Sequence, residues 1–324
     1  MMSDPLPNGE RSRAAARRFA RLAFVTAALT YALIVFGGIV RITGSGMGCG
    51  EDWPLCNGQL IPPMDFETLI EYGHRLAAAL VSFFVIGVAA YAIRHRRTSS
   101  IAGRGVLGLS IAAALMLIVQ VLVGAITVRL ELPTSTVVLH LALASVLLAT
   151  LIIAGLRTQQ RSGPPGPARP DDTYRRWTIG AAALGFVTLV VGGLVANTGA
   201  APLCQGFPLC NGQLIPEGGG LVHLHWTHRL LGYVLLIVVA VSIERTVRQG
   251  APAAVRRAAV ASGLLVVAQI AVAAAMVLLR LPSDLRAAHL AVGAALWAAM
   301  VVWTTLAFRQ TAPQPLGQPA GALV

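Results

Sequence analysis

Four histidines occur as two pairs at corresponding places in the two halves of the sequence. His74 and His140 lie in the first half, and His228 and His289 lie in the second. Each of them lies near the start of a long apolar run, where an ionisable side chain is costly to place. Because imidazole is a common ligand of metal ions and of haem iron, these pairs are the first candidates for chemistry.

Two histidines on separate helices are suited to holding a haem iron from both faces of its ring. Such a site also needs small residues that leave room for the flat ring. Paired glycines are available at residues 37–38, in GGIVR, and at residues 192–193, in GGLVA. A zinc site is not favoured, because the sequence contains neither a HExxH nor a CxxC motif. Hydrogen bonding between helices is the alternative role for these histidines.

One position differs between the two histidine segments in a way that bears on catalysis. Glu71 lies three residues before His74 on the same helix face, whereas His225 lies three residues before His228. A carboxylate beside a bound haem is a candidate proton acceptor, or a group that stabilises positive charge on carbon. The alternative is a solvated acid in the first turn of a helix. We favour the catalytic role, because the acid is present in only one of the two segments.

Six arginines lie at the same end of the apolar runs as the histidines. A guanidinium group pairs with a carboxylate through two hydrogen bonds, so these residues are candidates to bind the propionates of a haem. The alternative is an interfacial arginine that simply keeps its charge in water. The six are Arg41, Arg75, Arg129, Arg229, Arg280 and Arg286.

The four cysteines form two local pairs, within segments that repeat one another. PLCNGQLIP occurs at residues 54–62 and again at residues 208–216, and a histidine followed by an arginine ends both segments. Cys49 and Cys56 lie in the first loop, and Cys204 and Cys210 lie in the second. An oxidising outer compartment favours a disulfide in each loop, with either a structural or a redox role. The repeat predicts a chain that contains one half built twice.

Long apolar runs must position all of these residues. The chain is 56% hydrophobic and only 12% charged, whereas a soluble domain is about 25% charged. Eight runs reach the roughly 20 residues that span a bilayer. The sequence therefore predicts an all-α integral membrane protein made of two pseudo-symmetric four-helix bundles. The predicted runs are 22–41, 69–93, 105–128, 136–156, 177–198, 220–243, 258–279 and 286–308.

The distribution of charge predicts the orientation of the chain in the membrane. All 25 basic residues are arginine, and all but the six named above lie on one side if the N-terminus is cytoplasmic. This asymmetry favours a multi-pass protein of the cell membrane with both termini in the cytoplasm. It also accounts for the net charge of +12 without a nucleic-acid partner. The length of the first run favours a retained helix over a cleaved signal peptide.

The repeat and the composition together divide the chain into five predicted segments. They are a cytoplasmic N-terminal arm (1–21), a four-helix bundle (22–156), a cytoplasmic linker (157–176), a second four-helix bundle (177–308) and a disordered cytoplasmic tail (309–324).

The combination of EYGHR, HWTHR, single histidines in runs four and eight, and outer cysteine pairs resembles haem A synthase of the cysteine-containing bacterial type. The resemblance covers about residues 20–308. It implies that the C8 methyl group of haem O is oxidised to a formyl group, which gives haem A for terminal oxidases. It also implies that His74 and His140 flank the substrate haem, with Glu71 as the essential acid. His228 and His289 would ligate haem b, and the disulfides would be Cys49–Cys56 and Cys204–Cys210.

Two other functions are considered beside this one. A dihaem b-type cytochrome that oxidises quinol would have two permanent, near-equivalent haems, whereas the difference between Glu71 and His225 predicts distinct sites. A haem carrier or transporter is the third hypothesis, but four fixed ligands suit catalysis better. The family implies a haem O synthase and oxidase assembly factors as partners. The sequence leaves open the oligomeric state, the electron acceptor or donor, and whether oxygen comes from water or dioxygen.

Overall fold

Eight long α-helices form the protein, as the sequence predicts. The computed structural model describes residues 8–63, 65–98, 101, 105–158 and 173–309, and within these residues the remaining structure is two short 3₁₀ turns, loops and isolated bridges. All eight helices are long and apolar enough to span a membrane. The helices are α1 (Asn8–Ile42), α2 (Phe66–Arg94), α3 (Val106–Arg129), α4 (Thr134–Thr158), α5 (Thr173–Asn197), α6 (Gly220–Arg248), α7 (Ala253–Leu278) and α8 (Ser283–Ala307).

The helices pack as two groups of four. In the first group α1 contacts α2, α2 contacts α3, α3 contacts α4, and α4 returns to α1. In the second group α5, α6, α7 and α8 close a ring in the same order. The two groups meet where α8 packs against α1 and α4, and where α4 packs against α5. This arrangement confirms the all-α membrane fold, whereas an origin by internal duplication stays a prediction from the repeated sequence.

Helix α1 begins earlier than the first apolar run. The run predicts a membrane segment from residue 22, but the helix starts at Asn8 and includes much of the predicted N-terminal arm. Arginine and alanine fill this stretch, and both favour a helix. Phe19 is fully buried, and the hydroxyl group of Tyr91 on α2 donates to the carbonyl of Ala15 at 3.3 Å. Most of the predicted linker and tail lies outside the described residues.

Asp65 caps the N-terminus of α2, the helix that carries Glu71 and His74. Its Oδ1 accepts a hydrogen bond from the backbone N–H of Thr68 at 3.0 Å, and its Oδ2 lies 2.7 Å from the Thr68 hydroxyl. Thr68 is buried, and its hydroxyl group also donates to the carbonyl of Gly48 at 2.8 Å. The cap therefore holds the start of the helix against the loop that contains the first cysteine pair.

Removing this cap is expected to loosen the first turn of α2. The hydrogen bond from the Thr68 N–H lowers the pKa of Asp65 below its ordinary value of 3.8. Because the carboxyl pKa is lower in the folded protein, the cap stabilises the fold fully at pH values above the ordinary pKa. This stabilisation is lost as the pH falls through the pKa of the folded protein. We expect Asp65→Ala to speed amide exchange at Thr68 by about fivefold at neutral pH. Asp65→Asn is the control, since it keeps an acceptor that does not titrate; equal exchange in all three proteins would refute the cap.

Candidate functional site

The histidines of the first group lie on α2 and α4 and pack against glycines of the neighbouring helices. His74 and His140 are both half-buried. A Cβ atom at Gly37 of α1 would lie 3.2 Å from His74 Cε1, and one at Gly124 of α3 would lie 3.0 Å from His140 Cε1. A side chain at either position would press on an imidazole ring. The glycines therefore make room for the two rings.

The histidines of the second group lie directly across from each other. The ring centroids of His228 and His289 are 6.4 Å apart, and the ring planes cross at 85°. A Cβ atom at Gly192 of α5 would lie 2.8 Å from His228 Cε1, so a glycine again faces the imidazole ring. The side chain of Gln269 on α7 lies 3.1 Å from Nδ1 of His289. In the first group, by contrast, Gln120 donates to the backbone carbonyl of His140 at 3.0 Å.

The separation of His228 and His289 fits two ligands of one iron. An imidazole nitrogen binds a metal at about 2 Å, so the centroids of two imidazoles on opposite sides of one metal ion lie roughly 6 Å apart. The buried Nδ1 atoms of His74, His140 and His228 have no hydrogen-bond partner within the described part of the chain. Those same residues also contain no cluster of three or more His, Cys, Asp or Glu side chains that would hold a bare metal ion. A pair of histidines on facing helices can hold a haem iron, which needs at most two protein ligands.

Glu71 is buried beneath the first cysteine loop. Only 3% of it is exposed, and its Oε2 accepts a hydrogen bond from the backbone N–H of Cys49 at 2.8 Å. Its Oε1 forms an ion pair with Nη2 of Arg75 at 2.7 Å. Glu71 is therefore not a solvated acid in the first helical turn. The carboxylate lies one helical turn from His74 and is hydrogen-bonded to the backbone of the disulfide loop.

His225 occupies the corresponding place beneath the second cysteine loop. It is 5% exposed, and its Nδ1 lies 3.2 Å from the carbonyl oxygen of Ala200. Nε of Arg229 lies 3.4 Å from Nε2 of His225. Both halves thus place a polar residue under the loop, next to the arginine that follows the histidine. Only the first half has a negative charge there.

Arg75 and Arg229 hold the two loops by their backbone carbonyls. Nη1 of Arg75 donates to Asp52 at 2.7 Å and to Leu55 at 2.5 Å. The guanidinium of Arg229 donates in the same way to the carbonyls of Gly206, Leu209 and Cys204. The binding of haem propionates by these two arginines stays a prediction. Their contacts with the loops were not expected from the sequence, which does not reveal backbone acceptors.

The other four outer arginines occupy different surroundings. Nε of Arg41, at the end of α1, donates to Oδ1 of Asn197 at the end of α5, at 2.9 Å. The backbone carbonyl of Asn197 accepts from the hydroxyl group of Thr134 on α4 at 2.7 Å, so this residue joins three helices. Arg129 and Arg280 are exposed at the ends of α3 and α7, and Arg286 is half-buried near the start of α8. The propionate role of these four also stays a prediction.

Both cysteine pairs are disulfide-bonded and buried. The S–S distances are 2.01 Å for Cys49–Cys56 and 2.00 Å for Cys204–Cys210. All four cysteines are at most 1% exposed. Each bond closes a loop that covers the end of a histidine-bearing helix, so the disulfides fix the loops above the two histidine pairs.

Comparison with known proteins identifies the family. Residues 20–68 and 64–301 match the model of the COX15-CtaA family, described as cytochrome oxidase assembly protein. The chain is 34% identical over 222 residues to a heme A synthase of Halalkalibacterium halodurans, an alignment that covers 67% of this chain and 72% of that protein. It is 32% identical to a heme A synthase of Shouchella clausii over 70% of this chain and 77% of that protein.

A third relative shows the same likeness. The heme A synthase of Symbiobacterium thermophilum is 31% identical over 222 residues, which cover 67% of this chain and 71% of that protein. The family model spans nearly all of the helical part of the structure, including all four paired histidines and both cysteine pairs. The chain therefore belongs to the cytochrome oxidase assembly protein family COX15-CtaA.

Proposed function

We propose that this protein is a haem A synthase, which oxidises the C8 methyl group of haem O to a formyl group. The observation that carries the proposal is the placement of two histidine pairs under two disulfide loops, with a buried acid in only one of them. Membership of a family whose relatives carry that name supports it. Two successive hydroxylations of the methyl carbon, with oxygen from water or dioxygen, give a gem-diol that loses water to form the formyl group. This four-electron oxidation requires dioxygen or an external electron acceptor as the oxidant.

The substrate haem binds in the first group of helices. His74 and His140 hold its iron from the two faces, and Gly37 and Gly124 leave space for the imidazole rings. Glu71 lies on the same helix face as His74, so its negative charge would lie beside a haem bound there. There the carboxylate accepts a proton from the reacting carbon or stabilises positive charge on it. Arg75 and the Cys49 N–H keep the carboxylate in place while it does so.

The second group of helices would hold haem b. His228 and His289 would be its ligands, since their rings face each other at a separation suited to one iron. Haem b supplies electron transfer to or from the oxidation site when it is bound. The burial of His225 under the second loop keeps a neutral or cationic group where the first half has its acid. That difference gives the two sites their separate roles.

The protein spans the cell membrane with both termini in the cytoplasm and both haem sites near the outer face. Nineteen of its arginines lie on the cytoplasmic side in this orientation, which follows the positive-inside rule. The cysteine loops then face an oxidising compartment, which suits their disulfides. Haem O arrives from a haem O synthase in the same membrane, and haem A leaves to oxidase assembly factors.

Analysis of the bound haems tests the proposed function. The protein is expressed together with a source of haem O, purified in detergent, and its extracted haems are separated by chromatography. We expect haem A and hydroxylated haem O beside haem b. The control is the double variant His74→Ala/His140→Ala, in which we expect haem b alone. Recovery of only haem b from both sites of the unaltered protein would instead support a dihaem cytochrome.

A further inference from the structure

The tips of the two cysteine loops expose large apolar side chains. We call residues 57–62 the first tip and residues 211–216 the second tip. Leu60 is 78% exposed and Ile61 is 76% exposed, and in the second tip Leu214 and Ile215 are 77% and 69% exposed. Neither tip contains a charged residue in its sequence. Adjacent exposed aliphatic side chains at the same place in both loops indicate that an apolar partner covers them.

Part of the backbone of the first tip is hydrogen-bonded within the protein. The N–H of Cys56 donates to the carbonyl of Gln59 at 3.0 Å, and the N–H of Gln59 donates back to Cys56 at 3.0 Å. The hydroxyl group of Tyr72 on α2 donates to the carbonyl of Leu60 at 2.7 Å. Pro62 has no N–H to satisfy. These bonds leave fewer backbone groups that need water, which suits the interface of a bilayer, where headgroups and water can bind the rest.

The second tip has the same arrangement with a different aromatic residue. The N–H of Gln213 donates to the carbonyl of Cys210 at 2.9 Å, and the two residues form an isolated bridge. The indole N–H of Trp226 on α6 donates to the carbonyl of Leu214 at 2.9 Å. Tyrosine and tryptophan are enriched at membrane interfaces, where one end of the side chain is apolar and the other forms hydrogen bonds.

Both tips adjoin the outward-facing apolar surface of a membrane-spanning helix. On α2, the side chains of Leu69, Leu76 and Leu80 are exposed. On α6, those of Leu221 and Leu230 are exposed. Lipid covers these helix faces because the helices span the membrane. Tyr72 belongs to α2 and Trp226 belongs to α6, so each tip is hydrogen-bonded to the helix that carries these exposed side chains.

We propose that the two tips insert into the membrane interface on the side of the cysteine loops, with lipid covering Leu60–Ile61 and Leu214–Ile215. The partner is the phospholipid bilayer itself, at the boundary between headgroups and acyl chains. Insertion anchors each disulfide loop at two places: through its arginine to the helix, and through its tip to the lipid. The depth of each loop is then set by the membrane as well as by the protein.

Depth-dependent fluorescence quenching tests this placement. All four native cysteines are in disulfides, so a new cysteine can be labelled with bimane without reductant. The full chain carrying Leu60→Cys or Leu214→Cys is placed in nanodiscs with or without acyl-brominated phosphatidylcholine. We expect brominated lipid to lower the bimane emission by about twofold or more at both positions, and aqueous iodide to have little effect. Ile61→Cys and Ile215→Cys serve as second variants if the leucine variants do not fold.

Matched controls separate the tips from the rest of their own loops. Glu51→Cys and Glu217→Cys carry the label at exposed, charged positions of the first and second loop. Iodide should quench these labels and brominated lipid should not, whereas a label at Phe83, 73% exposed on α2, should show the opposite. Labels at both tips that behave like those at Glu51 and Glu217 would overturn the proposal. Pyrene excimers between tip-labelled copies would also overturn it, by assigning the tips to contacts between protein molecules.

Discussion

Replacing His228 or His289 with alanine is expected to remove the low-spin haem from the second group of helices. The two rings face each other with centroids 6.4 Å apart, so under the proposed function both would bind one haem iron. Loss of either imidazole would leave that iron with a single protein ligand. We expect the haem b content to fall from about one per chain to less than about a tenth. The measurement is the reduced-minus-oxidised absorption spectrum of the purified protein, together with the extracted haems.

His223→Ala is the matched control for these variants. His223 lies on the same helix as His228, is exposed, and has its Nδ1 3.2 Å from the carbonyl oxygen of Gly219. Its removal should leave the spectrum unchanged. Circular dichroism should report the same helix content in all of these proteins. An unchanged low-spin spectrum in His228→Ala and His289→Ala would show that these histidines are not the ligands.

Replacing Glu71 is expected to stop formyl formation while haem still binds. In Glu71→Gln the amide oxygen still accepts from the Cys49 N–H, but the group has no charge and cannot take up a proton at neutral pH. We therefore expect conversion of haem O to fall by about a hundredfold or more. In Glu71→Ala the guanidinium group of Arg75 also loses its buried partner, which should destabilise the protein by about 3 kcal/mol. Haem chromatography and thermal unfolding measure the two effects separately.

The comparison between the two Glu71 variants distinguishes chemistry from loop positioning. Glu67→Ala is the control, because Glu67 is an exposed acid in the first turn of the same helix. It should retain both haem conversion and stability. Full conversion by Glu71→Gln would refute a role for the charge. If Glu71→Ala loses haem O conversion but Glu71→Gln retains it, the only role of Glu71 would be to hold the loop in position.

The sequence predicts the helices well because the membrane imposes a simple rule. Each apolar run long enough to cross a bilayer is a helix in the structure. The ends of the helices are harder to predict, since apolarity marks the extent of the bilayer and not of the helix. Helix α1 begins at Asn8 because alanine and arginine favour a helix, and because the side chain of Phe19 is buried against the rest of the protein. A hydrophobicity pattern contains neither of these causes.

The candidate site is less accessible to sequence reasoning than the helices. Spacing alone identifies the four histidines as two pairs, and the glycines of GGIVR and GGLVA as the residues that leave room nearby. It does not identify Gly124, because that contact with His140 depends on how α3 packs on α4. It also does not predict that Arg75 donates to the carbonyls of Asp52 and Leu55. Every residue has a backbone carbonyl, so the folded loop alone decides which of them a guanidinium reaches.

The position of α8 has a consequence for the order of assembly during synthesis. The ribosome releases the helices in chain order, and α8 follows the other seven. Yet α8 packs against α1 and α4 as well as against α5 and α7. Trp297 on α8 donates its indole N–H to the carbonyl of Ser145 on α4 at 2.8 Å, and Tyr31 on α1 donates to the carbonyl of Ala291 at 3.1 Å. The surfaces of α1 and α4 that pack against α8 therefore stay uncovered in the bilayer until α8 has been inserted.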